Sequence, residues 1–180
     1  MAPDRLSEVL DAAYTCLTRY GVRRTTMDDI AVEAGMSRSA VYQYVRSKDD
    51  AFRRLAERLH RQALDRARRA AADDDAAPAA QVREVLAAKL DLVVALAGDS
   101  PHAAELLDAK ARLFGDICHG FTADLHGLLA EQLTRAGAAD PAQAADICIT
   151  LVIGLEGRPD AARLFEPAVS ALLRGLLPQD

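Results

Sequence analysis

Four consecutive residues, Ala34-Gly35-Met36-Ser37, set the tightest limit on what this chain can become. Gly35 can take the left-handed conformation that closes a helix, Ser37 is a good cap for the next one, and only Met36 lies between them. Two short helices must therefore meet at a turn of about three residues, the length of a helix-turn-helix connection. Thr26, with Asp29 three positions on, has capping-box spacing with a shorter acid than the usual Glu, so the first helix starts near Met27. Ile30, Ala31 and Ala34 give it one apolar face, and Val41 and Val45, one turn apart, pack the second helix against it. Arg38, Ser39, Tyr42, Gln43 and Tyr44 are left on or beside the outward side. In such a pair the start of the second helix meets base edges of DNA, where arginine can bond guanine in bidentate fashion and glutamine can do the same for adenine.

Gly21, Thr25-Thr26, Ile30-Ala31, Ala34-Gly35-Met36-Ser37, Val41-Tyr42 and Ser47-Lys48-Asp49-Asp50 together resemble the N-terminal signature of the tetracycline-repressor (TetR) family of bacterial transcription regulators. The likeness covers roughly residues 6 to 55 and is specific because many spaced positions agree at once. It departs at Val45, where the family usually has Phe, and at Ala51, where it usually has Leu. The resemblance implies that Lys48 and the helix start at Ser47 touch phosphate, which suits a cation beside N-terminal N–H groups. The DNA-binding set it implies, taken with the residues above, is Thr25, Thr26, Ser37, Arg38, Ser39, Tyr42, Gln43, Tyr44 and Lys48.

The formal net charge of −5 looks wrong for a DNA reader, but it is unevenly spread. Residues 1–70 carry 14 Lys and Arg against 10 Asp and Glu, whereas residues 71–180 carry 8 against 17. One part can meet phosphates while the other avoids them. With eight aromatic residues and no Trp, the core must be built mainly from Ala, Leu and Val, which suits close-packed helices. There is no N-terminal apolar run flanked by basic residues and no stretch of about 18 apolar residues, so a cytoplasmic protein without membrane contact is expected. Cys16, Cys118 and Cys148 show no Cys-x-x-Cys spacing, leaving buried thiols or a redox-sensing pair.

Taken in order, Leu6, Val9, Leu10, Ala13, Leu17 and Tyr20 form a helical stripe that ends at Gly21, with Tyr14 off it. Phe52, Leu55, Leu59 and Ala63 stripe a helix running from Ser47 to about Ala72. Asp73-Asp74-Asp75-Ala76-Ala77-Pro78 breaks the pattern. Val82, Val85, Leu86, Leu90, Val93 and Val94 mark a helix from Ala79 to Ala97 closed by Gly98, and Ser100-Pro101 caps the next. Gly115 reads as a break, a further helix ends near Gly137, and Asp140-Pro141-Ala142-Gln143 starts one that stops by Gly157. In the last helix Pro167 implies a kink or a start close to Glu166. The reading is an all-α chain of about nine helices: a three-helix head over residues 1–48, a linking helix over 49–72, and an effector-binding and dimerisation domain over 73–180.

Arg112, Phe114, Cys118, His119, Phe121, Thr122 and His126 gather most of the polar variety of that domain within about fifteen residues, and are the candidate effector contacts. Ile147, Leu151, Gly154, Leu155, Val169, Leu172, Leu173 and Leu176 are the candidate dimer contacts, since the resemblance implies that the last two helices form a four-helix bundle with a twofold mate. No metal or cofactor is expected: Asp116, Cys118, His119 and His126 do not converge on a helix, and the triple Asp suits a helix N-terminus. No enzyme motif occurs. The expected function is a ligand-responsive transcriptional regulator, a repressor that binds a palindromic operator in double-stranded DNA as a homodimer and is released by an unknown small molecule. The alternative is a helical small-molecule-binding or redox-sensing protein whose head does not bind DNA.

Overall fold

A computed structural model describes residues 4–97, 102–156 and 158–178. The described residues form eight helices and no strand: α1 Arg5–Arg24, α2 Met27–Glu33, α3 Arg38–Val41, α4 Lys48–Ala71, α5 Pro78–Ala97, α6 Ala103–Arg135, α7 Pro141–Leu155 and α8 Ala161–Leu176. The chain is all-α, as its patterning predicts. The count falls one short of nine because the run on either side of Gly115 is a single helix, kinked at Phe114 (φ −149°, ψ 28°). Gly98, Ser100-Pro101 and Gly157, read from sequence as stop and start signals, lie outside the described residues.

Packing divides the chain into two units, Met1–Leu59 with Leu96–Ile117, and His60–Ala95 with Cys118–Asp180, so that α4 and α6 supply residues to both. In the first unit Val9, Leu10, Ala13 and Leu17 of α1, Ile30 and Ala31 of α2, Val41 and Val45, and Phe52 and Leu55 of α4 form one continuous core. Tyr20, expected on the stripe of α1, is instead 38% exposed under the Arg19 guanidinium, while Tyr14 packs partly buried on that core. Gly21, with φ 78° and ψ 171°, breaks the helix directly after Tyr20. Gly21 is also closely approached: an added Cβ would sit 2.5 Å from a Glu105 carboxylate oxygen, and the Arg23 N–H donates to the other oxygen of that carboxylate at 2.5 Å.

In the second unit α5 buries Val82, Val85, Leu86 and Leu90, α6 buries Leu125, Leu129 and Leu133, and α7 and α8 pack together, with Cys148, Val152, Leu155, Phe165, Val169 and Leu173 buried on them. Asp140 caps α7 by accepting the Gln143 N–H at 3.0 Å, with Pro141 at the first helical position. Helix α8 starts at Ala161 and runs on through Pro167, because Phe165, Val169 and Leu173 are buried on one face and keep it in line across the missing N–H.

Candidate functional site

The head is built on interlocking caps. Thr26 accepts the Asp29 N–H at 3.2 Å, and the Asp29 carboxylate accepts the Thr26 N–H at 2.8 Å and its hydroxyl at 2.7 Å. These bonds, the hydroxyl's first, hold the Asp29 carboxyl below the usual carboxylate range. Gly35 closes α2 at φ 62°. Ser37 then caps α3 by accepting the Ala40 N–H at 3.2 Å, and its hydroxyl lies 3.0 Å from that of Ser39. Helix α3 is only four residues long; beyond it the Gln43 N–H bonds the Ala40 carbonyl and the Tyr44 N–H the Val41 carbonyl, a tighter i→i−3 turn that carries Tyr42 and Gln43.

The predicted contact residues separate into three groups. Thr26, Ser37, Arg38, Ser39, Tyr42 and Gln43 are exposed. Arg38 is poised but engaged: Nη1 donates to the Asp28 carboxylate at 2.9 and 3.1 Å, Nη2 donates to the Tyr42 hydroxyl at 3.3 Å, and the guanidinium stands over the Tyr42 ring. Tyr44 is half-buried against the head core, and Lys48 is half-buried with Nζ donating to the Arg23 carbonyl at 3.2 Å. Thr25 is 1% exposed and turned inward, its hydroxyl bonding the Gly21 carbonyl at 2.7 Å, so its side chain is a joint of the head and offers no surface donor. Ser47 accepts the Asp50 N–H at 3.1 Å, and the Asp50 carboxylate takes the Arg46 N–H at 2.8 Å and Arg54 Nε at 3.2 Å. Burial works against the Asp50 charge but is outweighed by these two partners, and its carboxyl titrates below the usual range. The sequence reading missed Asp28 and Val32; Val32 is 81% exposed on α2, off the apolar face of Ile30 and Ala31.

The candidate effector residues fall in both units. The Arg112 side chain lies outside the described residues. Phe114 belongs to the first unit, at the kink. In the second unit Cys118 and Phe121 come together with His60 of α4: Cys118 Sγ lies 3.3 Å from His60 Nε2, and Phe121 meets the His60 ring edge-on with centroids 5.2 Å apart. The Thr122 hydroxyl donates to the Cys118 carbonyl, His119 is exposed, and His126 Nε2 lies 3.3 Å from an Asp146 carboxylate oxygen. Sequence reasoning missed His60, although it falls in register with Ala56, Ala63 and Ala67 on the buried side of α4. No group of three or more metal-ligating side chains occurs among the described residues. On α7 and α8 an open, mainly apolar groove includes Ile147, Leu151, Gly154, Leu155 and Leu172, whereas Val169 and Leu173 are buried within the chain itself and Leu176 is half-buried.

Residues 9–55, which hold the whole of the head's capped turn, match the family described as "Bacterial regulatory proteins, tetR family". Over these residues the chain is similar to the tetR family. It is 45% identical over 53 residues to the uncharacterized HTH-type transcriptional regulator YfiR of Bacillus subtilis, and 28% identical over 118 residues to the HTH-type transcriptional regulator TtgR of Pseudomonas putida. These alignments take in 29% and 66% of this chain but only 26% and 50% of the two relatives. Among solved structures, SmeT, the repressor of the Stenotrophomonas maltophilia multidrug efflux pump SmeDEF, superposes with a TM-score of 0.69 at 23% identity, covering 99% of this chain and 92% of SmeT. SmeT is also similar as its triclosan complex, with a TM-score of 0.71. At that identity the likeness speaks for the fold along nearly the whole chain.

The two departures from the TetR pattern both lie in the head core. Val45 is 1% exposed and Ala51 fully buried, both inside the core that α1, α2 and α4 share with Phe52 and Leu55. Each departure keeps an apolar side chain at a buried position of the head core.

Proposed function

We propose that this protein is a ligand-responsive transcriptional regulator, a repressor that binds a palindromic operator as a homodimer and leaves it when a small molecule binds. The observation that carries the reading is the capped turn from Thr26 to Ser37, which leaves Arg38, Ser39, Tyr42 and Gln43 exposed beside the N-terminus of α3. Arg38 and Gln43 are the base readers, with Tyr42 and Ser39 as flanking contacts. Lys48, at the start of α4, meets phosphate. The excess of Lys and Arg in residues 1–70 supports this polarity.

Dimerisation follows the groove on α7 and α8, where Ile147 is 38% exposed and Gly154 has open space above its backbone, so a partner helix can approach closely. Two heads one DNA turn or more apart read a palindrome far better than one. SmeT, a repressor with a triclosan complex, supports the sign of regulation and the use of a small effector. Release is then a population shift, and driving the bound and released states from 1:99 to 99:1 needs about 5.5 kcal/mol of differential affinity. As a reader of operator DNA the protein works in the cytoplasm; no helix among the described residues is long and apolar enough to cross a membrane.

The test is selection of duplex DNA from a random pool at two salt concentrations. Enrichment of a palindrome with half-sites at helical-turn spacing supports the regulator. If a folded dimer enriches nothing at low salt, the weight passes to a ligand-binding protein with a silent head.

A further inference from the structure

The proposed DNA chemistry leaves one pair of reactive side chains unused. Cys16 and Cys148 are sealed at 1% and 0% exposure, and burial, first among the causes, pushes each thiol up to about 11. Cys118 differs from both: it is half-buried, and its Sγ lies 3.3 Å from His60 Nε2. With His60 in the tautomer protonated at Nδ1, Nε2 accepts the S–H proton, which is the arrangement of a nucleophile beside its base. Phe121, one helical turn beyond Cys118 on α6, stands edge-on to the imidazole at 5.2 Å between centroids and holds that ring in place. His60 is only 7% exposed and Phe121 6%, and Cys118 is the least buried of the three.

We propose that Cys118, with His60 as its base, is a covalent site for soft carbon electrophiles of the conjugated-carbonyl class, enones and quinones. The step balances without any further reactant. The thiol proton moves to His60 Nε2, the sulfur lone pair forms an S–C bond at the β-carbon, and the C=C π pair moves to give an enolate. The enolate takes a proton back from the imidazolium, so nothing leaves and nothing is oxidised or reduced from outside. A peroxide, by contrast, would leave a sulfenic acid to be resolved by a second thiol, and the other two thiols are buried. As an effector site the pair rests on the regulatory reading above; as thiol chemistry it stands alone.

The experiment uses the full chain and N-ethylmaleimide, itself a conjugated carbonyl, with labelling at each cysteine followed by peptide mass. Cys118 should react faster than a cysteine in a short unstructured peptide at the same pH, while Cys16 and Cys148 stay unlabelled. His60→Gln should slow Cys118 by roughly 100-fold, the low end of what a positioned base contributes. Equal rates for Cys118 and the peptide cysteine overturn the proposal, as does an unchanged rate in a folded His60→Gln. If His60→Gln unfolds, seen as labelling of all three cysteines, the comparison of wild type with the peptide decides alone. Labelling is read without DNA, so a chain that enriched no operator would sink the regulatory reading and leave this result intact.

Discussion

Arg53 grips Asp116 with both prongs of its guanidinium, Nη1 to one carboxylate oxygen at 2.9 Å and Nη2 to the other at 2.5 Å. The same Nη1 donates to the Leu113 carbonyl at 3.1 Å, so one side chain of α4 fastens α6 on both sides of its kink at Phe114.

The Arg53 hydrogen bonds hold the Asp116 carboxyl down to about 2. Its unfolded value is about 3.9, so the grip contributes stability that is fully present above that pH and is lost as pH falls through about 2. Asp116→Asn should therefore melt below the wild type at neutral pH, and the two should converge as pH falls from about 4 toward 2. Thermal unfolding followed by circular dichroism across that range checks it. A gap that persists unchanged to the acid end would mean the ion pair is not its source.

Lys89 and Glu156 are paired at 2.7 Å with side chains only 6% and 9% exposed, linking α5 to the end of α7. Removing one partner strands a buried charge, so Lys89→Met alone should cost about 3–5 kcal/mol in urea unfolding. The double variant Lys89→Met with Glu156→Leu removes both charges and should recover most of that loss. Additive losses in the double variant would show that packing, not the uncompensated charge, sets the cost.

How much of this was legible depends on how local the interaction is. The caps at Thr26, Ser37 and Asp140 can be read directly because each joins residues three apart. The positions of His60 and Lys89 on buried faces are also legible, the first in register with Ala56 and Ala63, the second one turn beyond Val85 and Leu86. Their partners are not: Cys118 lies 58 positions from His60 and Glu156 lies 67 from Lys89, and nothing near either residue says which distant group the fold will bring. Thr25 shows the converse. A threonine at a helix start reads as a surface donor, until the break at Gly21 presents a carbonyl that takes its hydroxyl inside.

Two glycines should respond to alanine in opposite directions. Gly35 closes α2 at φ 62° with nothing near its would-be Cβ, so Gly35→Ala suffers from backbone strain alone and should lose about 1–2 kcal/mol. Gly127 lies within α6 with equally open space, and Gly127→Ala should gain roughly 0.5–1 kcal/mol from helix propensity. Both are read from urea midpoints. Stabilisation by Gly35→Ala would mean the turn before α3 does not need a left-handed residue.

Arg38, Gln43 and Lys48 should separate base reading from phosphate holding. Arg38 already spends donors on Asp28 and Tyr42, which fix its direction, and it keeps N–H groups for a base edge. Arg38→Ala and Gln43→Ala should each cost about 1–3 kcal/mol on the selected operator and relax preference at the position they read. Lys48 holds the Arg23 carbonyl at the end of α1, and the phosphate role proposed for it would act on every sequence alike. Lys48→Ala should weaken operator and random duplex equally and lower the slope of log affinity against log salt by about one. Binding isotherms on both duplexes at several salt concentrations measure all three. If Arg38→Ala left operator preference unchanged while flattening the salt slope, Arg38 would be a phosphate contact and the base reading would rest on Gln43.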